Sequence, residues 1–269
     1  MRGTMKNESK IGTVLVTGAS SGIGRALAEE FANHGYDIVL VARNVAKLTE
    51  VENELGSKVS ARIILKDLAV PSAPKEIYDQ LRAENINIDV LVNCAGFGLT
   101  GQFSKTDIQS ELDMLQVNIV ALTYLTKLFL IDMMMRREGK ILNVASTAAF
   151  EPGPLMSVYH ATKAYVLNFS EAIAEEVKGC GVTVTTLCPG PTKTGFSDTA
   201  RNDQSRLFVE KAFIRVQNPK TVAKVAYAGL MKGSPVVIPG FTNKLVPLAA
   251  KLVPRRMLLK IVKKMYEAV

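Results

Sequence analysis

Short runs of aliphatic and β-branched residues alternate with longer amphipathic stretches along the whole chain. Most of the short runs are continuously apolar, which is typical of parallel strands covered by helices on both faces. Such runs predict seven strands, at residues 12–17, 37–41, 61–65, 88–92, 140–145, 182–187 and 235–238. Helical patterns lie between them, at residues 22–34, 45–55, 72–83, 107–136, 157–178 and 219–231.

This strand–helix alternation predicts parallel βαβ units in a doubly wound sheet. The connections are short, so we expect residues 1–269 to form a single domain. Three parts of it are distinguished by composition or position: a polar N-terminal tail at residues 1–10, a segment at residues 191–218 between the sixth strand and the next helix, and a basic amphipathic segment at residues 243–269.

Composition places the chain among globular proteins. With 269 residues, 48% hydrophobic and 22% charged, it can fill a core, which excludes disordered and collagen-like chains. Three cysteines suggest reduced thiols in an intracellular protein. The most apolar run, residues 124–135, is interrupted by Lys127 and Asp132, so no membrane helix is expected. We therefore expect a soluble, cytoplasmic protein.

The formal net charge of +8 is concentrated at the C-terminal end. Residues 243–269 contain seven basic residues and one acidic residue, Glu267, which gives that segment +6 and leaves +2 for the rest of the chain. The rest has no basic stripe interleaved with aromatic residues. Nucleic acid is therefore not expected as a partner.

A glycine-rich turn follows the first predicted strand directly and precedes a helical pattern. Gly18 permits a tight reversal, Gly22 lets the backbone approach a pyrophosphate, and Gly24 lets the helix pack close to the strand. The helix N-terminus offers N–H groups to phosphate oxygens. The turn thus predicts dinucleotide binding and an α/β fold of the Rossmann type, a doubly wound three-layer α/β/α sandwich with a seven-stranded parallel sheet. The predicted contacts are Gly18, Ser20, Ser21, Gly22, Ile23 and Gly24.

The end of the second strand indicates which dinucleotide binds. NAD enzymes usually place an acidic residue there for the ribose 2′-hydroxyl, but this chain has Ala42 followed by Arg43. A guanidinium can bind a 2′-phosphate, which a carboxylate would repel. NADP(H) is therefore favoured over NAD(H), unless Arg43 is only a solvated strand end. After the third strand, Asp67 and Leu68 are expected at the adenine.

A tyrosine, a lysine and a serine form a candidate catalytic set. Tyr159 and Lys163 are four residues apart in a helical pattern and therefore share a face. A tyrosine with a pKa near 10 is a poor catalyst at neutral pH, and a nearby ammonium would lower that pKa. Ser146 ends the fifth predicted strand, where its hydroxyl would face the crevice at the carboxyl ends of the strands.

With these motifs the chain resembles the short-chain dehydrogenase/reductase family, in its single-domain, NADP(H)-preferring branch. The resemblance covers residues 10–238, almost the whole chain. The matching motifs are Thr17-Gly-Ala-Ser-Ser-Gly-Ile-Gly24, Asn93-Cys-Ala-Gly96, Asn118, Ser146, Tyr159 with Lys163, and Pro189-Gly190 followed by Thr194. One departure is Cys94, where the family often has a second asparagine.

The resemblance implies catalytic roles for four residues. Tyr159 would be the general acid/base and Ser146 would polarise the substrate oxygen. Lys163 would lower the Tyr159 pKa and hold the nicotinamide ribose. Asn118 would support a water that relays protons to Lys163.

The resemblance also implies cofactor contacts. Asn93, Ala95 and Gly96 would flank the adenosine ribose, with Asn93 also stabilising the central strand. The nicotinamide contacts would come from Pro189, Gly190, Thr192 and Thr194. No residue spacing suggests a metal site, and His160, which points away from Tyr159 and Lys163, is expected to be non-catalytic.

The implied function is NADP(H)-dependent hydride transfer to or from a carbonyl or alcohol substrate. The alternative is a non-catalytic NADP(H)-binding redox sensor or scaffold, which would be expected to lose the tyrosine or lysine. Residues 191–218 would form a substrate lid, and its apolar residues favour an apolar substrate such as a fatty acyl or steroid-like carbonyl. These lid residues are Phe196, Leu207, Phe208 and Phe213.

The C-terminal segment has three possible roles. Pro254 is expected to begin a helix with an apolar face at Met257, Leu258, Ile261, Val262 and Met265 and a basic opposite face. Its apolar face would cover the substrate pocket or a subunit contact, or the helix would make peripheral contact with an anionic membrane. We also expect a homodimer or homotetramer.

Overall fold

The computed structural model describes residues 11–196 and 216–267. Its seven strands form one parallel sheet in the order β3-β2-β1-β4-β5-β6-β7. The strands are β1 (Thr13–Thr17), β2 (Asp37–Ala42), β3 (Ala61–Leu65), β4 (Val90–Asn93), β5 (Gly139–Val144), β6 (Val182–Leu187) and β7 (Val236–Val237). The predicted seven-stranded parallel α/β sandwich is confirmed.

Helices cover both faces of this sheet. The helices among the described residues are α1 (Gly22–Asn33), α2 (Val45–Leu55), α3 (Ala73–Ala83), α4 (Ile108–Leu115), α5 (Leu122–Arg136), α6 (Ser157–Glu176), α7 (Pro219–Met231), α8 (Val246–Leu252) and α9 (Arg255–Tyr266). Helices α1, α2 and α7 share one hydrophobic cluster with the sheet, and α3, α5 and the end of α6 share another.

The first strand shows why its sequence is continuously apolar. Val14 and Val16 pack into the cluster on one face of the sheet, and Leu15 packs into the cluster on the other face. All three side chains are fully buried. Since successive side chains on a strand point to opposite faces, a central strand covered on both sides must be apolar at every position.

The long helix predicted at residues 107–136 is interrupted by a π-helical turn at Gln116–Ala121, between α4 and α5. By length and composition alone, the stretch Ile108–Arg136 could cross a membrane, although Lys127 and Asp132 interrupt it. Half of its most apolar window is buried, and Leu125, Phe129 and Met133 pack into the core. These contacts are those of a core helix.

Candidate active site

A cavity of about 530 Å³ opens at the carboxyl ends of the strands. It lies where β1 and β4 are neighbours and the chain winds outward in opposite directions, which is where ligands bind in doubly wound sheets. All the predicted site residues except Asn93 and Asn118 line it. They are Gly18, Ser20, Ser21, Gly22, Ile23, Gly24, Arg43, Asp67, Leu68, Ala95, Gly96, Ser146, Tyr159, Lys163, Pro189, Gly190, Thr192 and Thr194.

The glycine-rich turn has the backbone that a phosphate cradle requires. Gly18 and Gly22 have φ angles of +70° and +55°, which disfavour side chains. A Cβ on Gly24 would lie 2.2 Å from the Gly18 carbonyl oxygen, so only glycine lets α1 approach the turn. Ser21, the N-cap residue of α1, makes no side-chain capping hydrogen bond. The helix N-terminus can therefore receive an anion, and the turn fits a dinucleotide pyrophosphate.

The adenosine end of the cavity is basic. Arg43 Nη1 lies 3.4 Å from Asp67 Oδ2, and the two side chains are 67% and 40% exposed. Such an exposed pair is weak and leaves the guanidinium open to an added anion. The sequence interpretation missed Lys47 and Lys66, which also line this end. Their positions could have indicated this. Lys47 lies at the start of α2, shortly after the end of β2, and Lys66 directly follows β3.

The side chain of Asn93 is not part of the cavity lining; it stabilises the central strands as predicted, and its contact with the ribose stays a prediction. It is buried, and its Nδ2 donates to Thr126 Oγ1 at 3.0 Å and to Asn143 Oδ1 at 2.9 Å. Asn93 therefore links the central strands to α5, because its position at the end of β4 turns the side chain into the helix layer. Thr17 Oγ1 instead holds the adjoining loop, accepting from the Ala95 N–H at 3.1 Å.

Asn118 also lies behind the cavity wall. Its Oδ1 accepts from the Phe97 N–H at 3.1 Å, and its Nδ2 donates to the Phe97 carbonyl at 2.9 Å and to Thr162 Oγ1 at 3.1 Å. Through these hydrogen bonds the Asn118 amide holds the loop after β4 against α6. The role of Asn118 in supporting a proton-relay water stays a prediction.

The catalytic candidates converge from two elements. Ser146 follows β5 as the N-cap residue of a 3₁₀ turn, while Tyr159 and Lys163 lie one turn apart on α6. Ser146 lies next to Tyr159, close enough for its hydroxyl to act on the pKa of the phenol. Lys163 Nζ lies 5.8 Å from the centre of the Tyr159 ring and donates to the Val144 carbonyl at 2.9 Å. The sequence spacing therefore places all three groups around one point of the cavity.

The electrostatics of Tyr159 are governed by burial. Burial raises the Tyr159 pKa to about 12, although the neighbouring Ser146 hydroxyl acts in the lowering direction. Burial lowers the Lys163 pKa to about 8. Desolvation therefore dominates the Tyr159 pKa, and the lowering of this pKa by Lys163 stays a prediction. The phenol is protonated at neutral pH and can donate a proton.

The loop after β6 forms the opposite wall. Thr192 Oγ1 donates to the Gly190 carbonyl at 2.9 Å, which fixes the start of the loop. Thr194 packs directly against the phosphate turn, where a Cβ on Gly22 would be 2.9 Å from its Cγ2. Asn243 packs directly on Gly190, where a Cβ would approach its amide to 2.4 Å. Sequence reasoning missed Asn243, which carries no local signal.

The remaining wall is apolar and comes largely from the C-terminal segment. Leu258, Met265 and Tyr266 of α9 line the cavity together with Met156, and they belong to the hydrophobic cluster that contains Tyr159. Of the three roles considered for this segment, covering the pocket is therefore observed. Pro254 precedes the helix as its N-cap residue and does not begin it.

The predicted lid is described only in part. Phe196 lines the cavity, and its ring centre lies 5.3 Å from that of Tyr159. Leu207, Phe208 and Phe213 lie outside the described residues. Among residues 11–196 and 216–267, no group of three or more histidine, cysteine or acidic side chains could hold a metal.

A carboxyl group that sequence reasoning missed also faces the cavity. Glu151 follows the 3₁₀ turn that begins after Ser146 and lines the cavity. Burial raises its pKa to about 7. The local sequence around this glutamate gives no sign of its burial.

Comparison with known proteins identifies the family. The family model for short chain dehydrogenases matches residues 12–205, so the chain belongs to the short-chain dehydrogenase/reductase family and is an oxidoreductase. A short-chain dehydrogenase from Sphingobium yanoikuyae, solved in complex with NADPH, superposes with a TM-score of 0.81 at 30% identity, over 90% of this chain and 92% of that one.

Two sequence relatives differ in how much of their own length this chain matches. A very-long-chain 3-oxoacyl-CoA reductase from Bos taurus is 37% identical over 182 residues, which span 65% of this chain and 57% of that protein. An uncharacterized oxidoreductase from Staphylococcus saprophyticus is 31% identical over 225 residues, which span 82% of this chain and 92% of that one. The chain therefore matches only part of the bovine protein but nearly all of the bacterial one.

Proposed function

We propose that this protein is an NADP(H)-dependent carbonyl reductase and alcohol dehydrogenase that acts on apolar substrates. The observation that carries the proposal is a buried, protonated Tyr159 that lines the same cavity as Ser146, beside a wall that is apolar. The glycine turn at the other end of the same cavity fits a dinucleotide. Both halves of a hydride-transfer site are therefore present in one cleft.

The preference for NADP(H) is supported by charge. Arg43, Lys47 and Lys66 line the adenosine end, and Ala42 occupies the position where NAD enzymes usually carry an acid. A 2′-phosphate would meet several cations and would compete with Asp67 for the Arg43 guanidinium. The Sphingobium relative contains NADPH, which agrees with this preference.

The chemistry follows from the protonated phenol. The reduced nicotinamide supplies a hydride when bound. Tyr159 donates its proton to the substrate carbonyl oxygen while the carbonyl carbon gains the hydride, so the C=O bond becomes CH–OH. Ser146, beside the phenol, hydrogen-bonds the same oxygen and stabilises its developing charge. The Tyr159 phenolate then regains a proton from solvent, and the oxidation of an alcohol follows the reverse steps.

An apolar substrate is supported by the residues around Tyr159. Met156, Phe196 and Leu258 line the substrate side of the cavity, and they offer contact area with few polar groups. The name of the bovine relative, a reductase of very-long-chain 3-oxoacyl-CoA, is consistent with such a pocket.

A substrate screen tests this proposal. NADPH oxidation is measured with ketones, aldehydes and 3-oxoacyl thioesters graded by chain length and bulk, with Tyr159→Phe as the blank. We expect kcat/KM to rise with apolar length, since each buried methylene contributes about 0.8 kcal/mol. A wild-type protein that binds NADPH but is no faster than the blank with every compound would favour the non-catalytic sensor or scaffold instead.

We also infer a homo-oligomer. The helical stretch from α4 to α5 exposes Ile108, Leu112 and Ile131 at 64%, 49% and 47%, which a subunit contact would cover. Sedimentation velocity would test this, and a monomer at every concentration would contradict it.

A further inference from the structure

The outer side of α8, α9 and the turn before them exposes large apolar side chains beside basic ones. We call it the C-terminal surface and define it by Phe241, Leu248, Leu252, Lys251, Arg255 and Arg256. Phe241 is 81% exposed and Leu252 is 73% exposed, the two highest values among the large apolar side chains that the structure describes. Such residues are costly to leave in water unless something covers them.

The net charge of this region is strongly positive. Residues 243–269 carry +6 of the net +8, and their single acid, Glu267, lies 3.7 Å from Lys263 at the far end of α9. That acid lies more than ten positions along the chain from Lys251, Arg255 and Arg256. A second copy of the chain would place the same positive charge against it in a two-fold contact, which repulsion disfavours.

We propose that the C-terminal surface seats the protein on an anionic lipid membrane. Exposed apolar side chains would enter the boundary between headgroups and acyl chains, and the flanking cations would meet anionic headgroups. This binding does not depend on the proposed reaction.

The position of the cavity adds a functional reason for such a surface. The inner sides of the same two helices line the cavity through Ala249, Leu258 and Met265. Ile261 both lines the cavity and is 41% exposed, so the cavity reaches the solvent beside the C-terminal surface. A protein seated there would face its apolar pocket toward the lipid, from which an apolar substrate could enter without crossing water.

Vesicle co-sedimentation tests the proposal. The full chain is mixed with vesicles of phosphatidylcholine alone or of equimolar phosphatidylcholine and phosphatidylglycerol. The variant carries Lys251→Glu, Arg255→Glu and Arg256→Glu, and the matched control carries Lys58→Glu, Lys75→Glu and Lys178→Glu, three exposed lysines elsewhere with the same change in net charge. A milder variant carries glutamine at the three C-terminal positions, in case the charge reversal impairs folding.

We expect the wild type and the control to sediment much more completely with the anionic vesicles than with the neutral ones. Neutralising three cations should weaken partitioning at least about a hundredfold, at roughly fivefold per cation. Leu248→Ser with Leu252→Ser should remove the binding that remains in high salt, because that part is apolar. Unchanged melting temperature and NADPH binding establish that each variant is folded.

Three results would overturn the proposal. The wild type could stay in the supernatant with both kinds of vesicle, or it could sediment equally with both. The matched control could also lose as much binding as the C-terminal variant, which would mean that net charge and not this surface is responsible. A wild type that stays off vesicles but forms dimers, lost in Leu248→Ser with Leu252→Ser, would assign the surface to a second copy.

Discussion

The imidazole Nε2 of His160 lies 3.0 Å from the hydroxyl of Tyr266, 106 residues further along the chain. The other ring nitrogen lies 2.9 Å from the Glu151 carbonyl, which can only accept, so Nδ1 carries the proton and Tyr266 donates to Nε2. Burial lowers the His160 pKa and keeps the ring neutral. This bond ties α9 to the helix that carries Tyr159 and thereby fixes the apolar wall of the pocket.

Removing the Tyr266 hydroxyl should destabilise the fold. In Tyr266→Phe the buried Nε2 of His160 loses its donor, at a cost of about 1–3 kcal/mol in the free energy of unfolding. Urea unfolding measures this. Tyr165→Phe is the control, because its hydroxyl bonds Thr123 at an exposed position and its loss should change the free energy by less than about 0.5 kcal/mol. Equal changes in the two variants would contradict the buried bond.

Tyr159→Phe should lower kcat for carbonyl reduction by at least about a hundredfold, because the substrate oxygen loses its proton donor. The variant keeps the ring that packs against Phe196, so NADPH binding should be retained. Steady-state NADPH oxidation and fluorescence titration of NADPH measure the two quantities. Turnover at the wild-type rate would exclude Tyr159 as the acid.

Arg43→Ala should weaken NADPH binding about 10- to 100-fold and change NADH binding much less. The reason is that a charge-assisted hydrogen bond to the 2′-phosphate contributes about 1.5–3 kcal/mol. Isothermal titration with both nucleotides measures this. Lys58→Ala, which removes a cation bonded to Asn33 outside the cavity, should leave both affinities unchanged. Equal losses for the two nucleotides in Arg43→Ala would argue against a 2′-phosphate site.

Glu151→Gln should remove a pH dependence of stability. Burial raises the Glu151 pKa from 4.5 to about 7. Between those values the unfolded chain releases the proton while the folded protein keeps it, so the wild type loses stability as pH rises. Above pH 7 the loss is complete, and below pH 4.5 it is absent.

Urea unfolding of both proteins at pH 5 and pH 8 checks this dependence. The free energy of unfolding of the wild type, relative to Glu151→Gln, should be lower at pH 8 than at pH 5. A difference that is independent of pH would mean that the Glu151 carboxyl is solvated in the folded protein.

The sequence predicted most of the phosphate end of the site because that end is built from contiguous residues. Gly18, Gly22 and Gly24 follow the first strand directly, and their spacing determines where the backbone bends and where α1 begins. The same reasoning could not place Asn93, whose side chain turns into the helix layer.

Homo-oligomerisation and a cytoplasmic location stay predictions.

By itself, the sequence determined the order of strands and helices, the glycine turn and the shared helix face of Tyr159 and Lys163, since each is a periodicity or a spacing within a few residues. Only the tertiary structure decided that α9 closes the pocket and that the Tyr159 phenol stays protonated. Both depend on burial by chain segments about a hundred residues away, and desolvation is a property of the packed surroundings rather than of the local sequence.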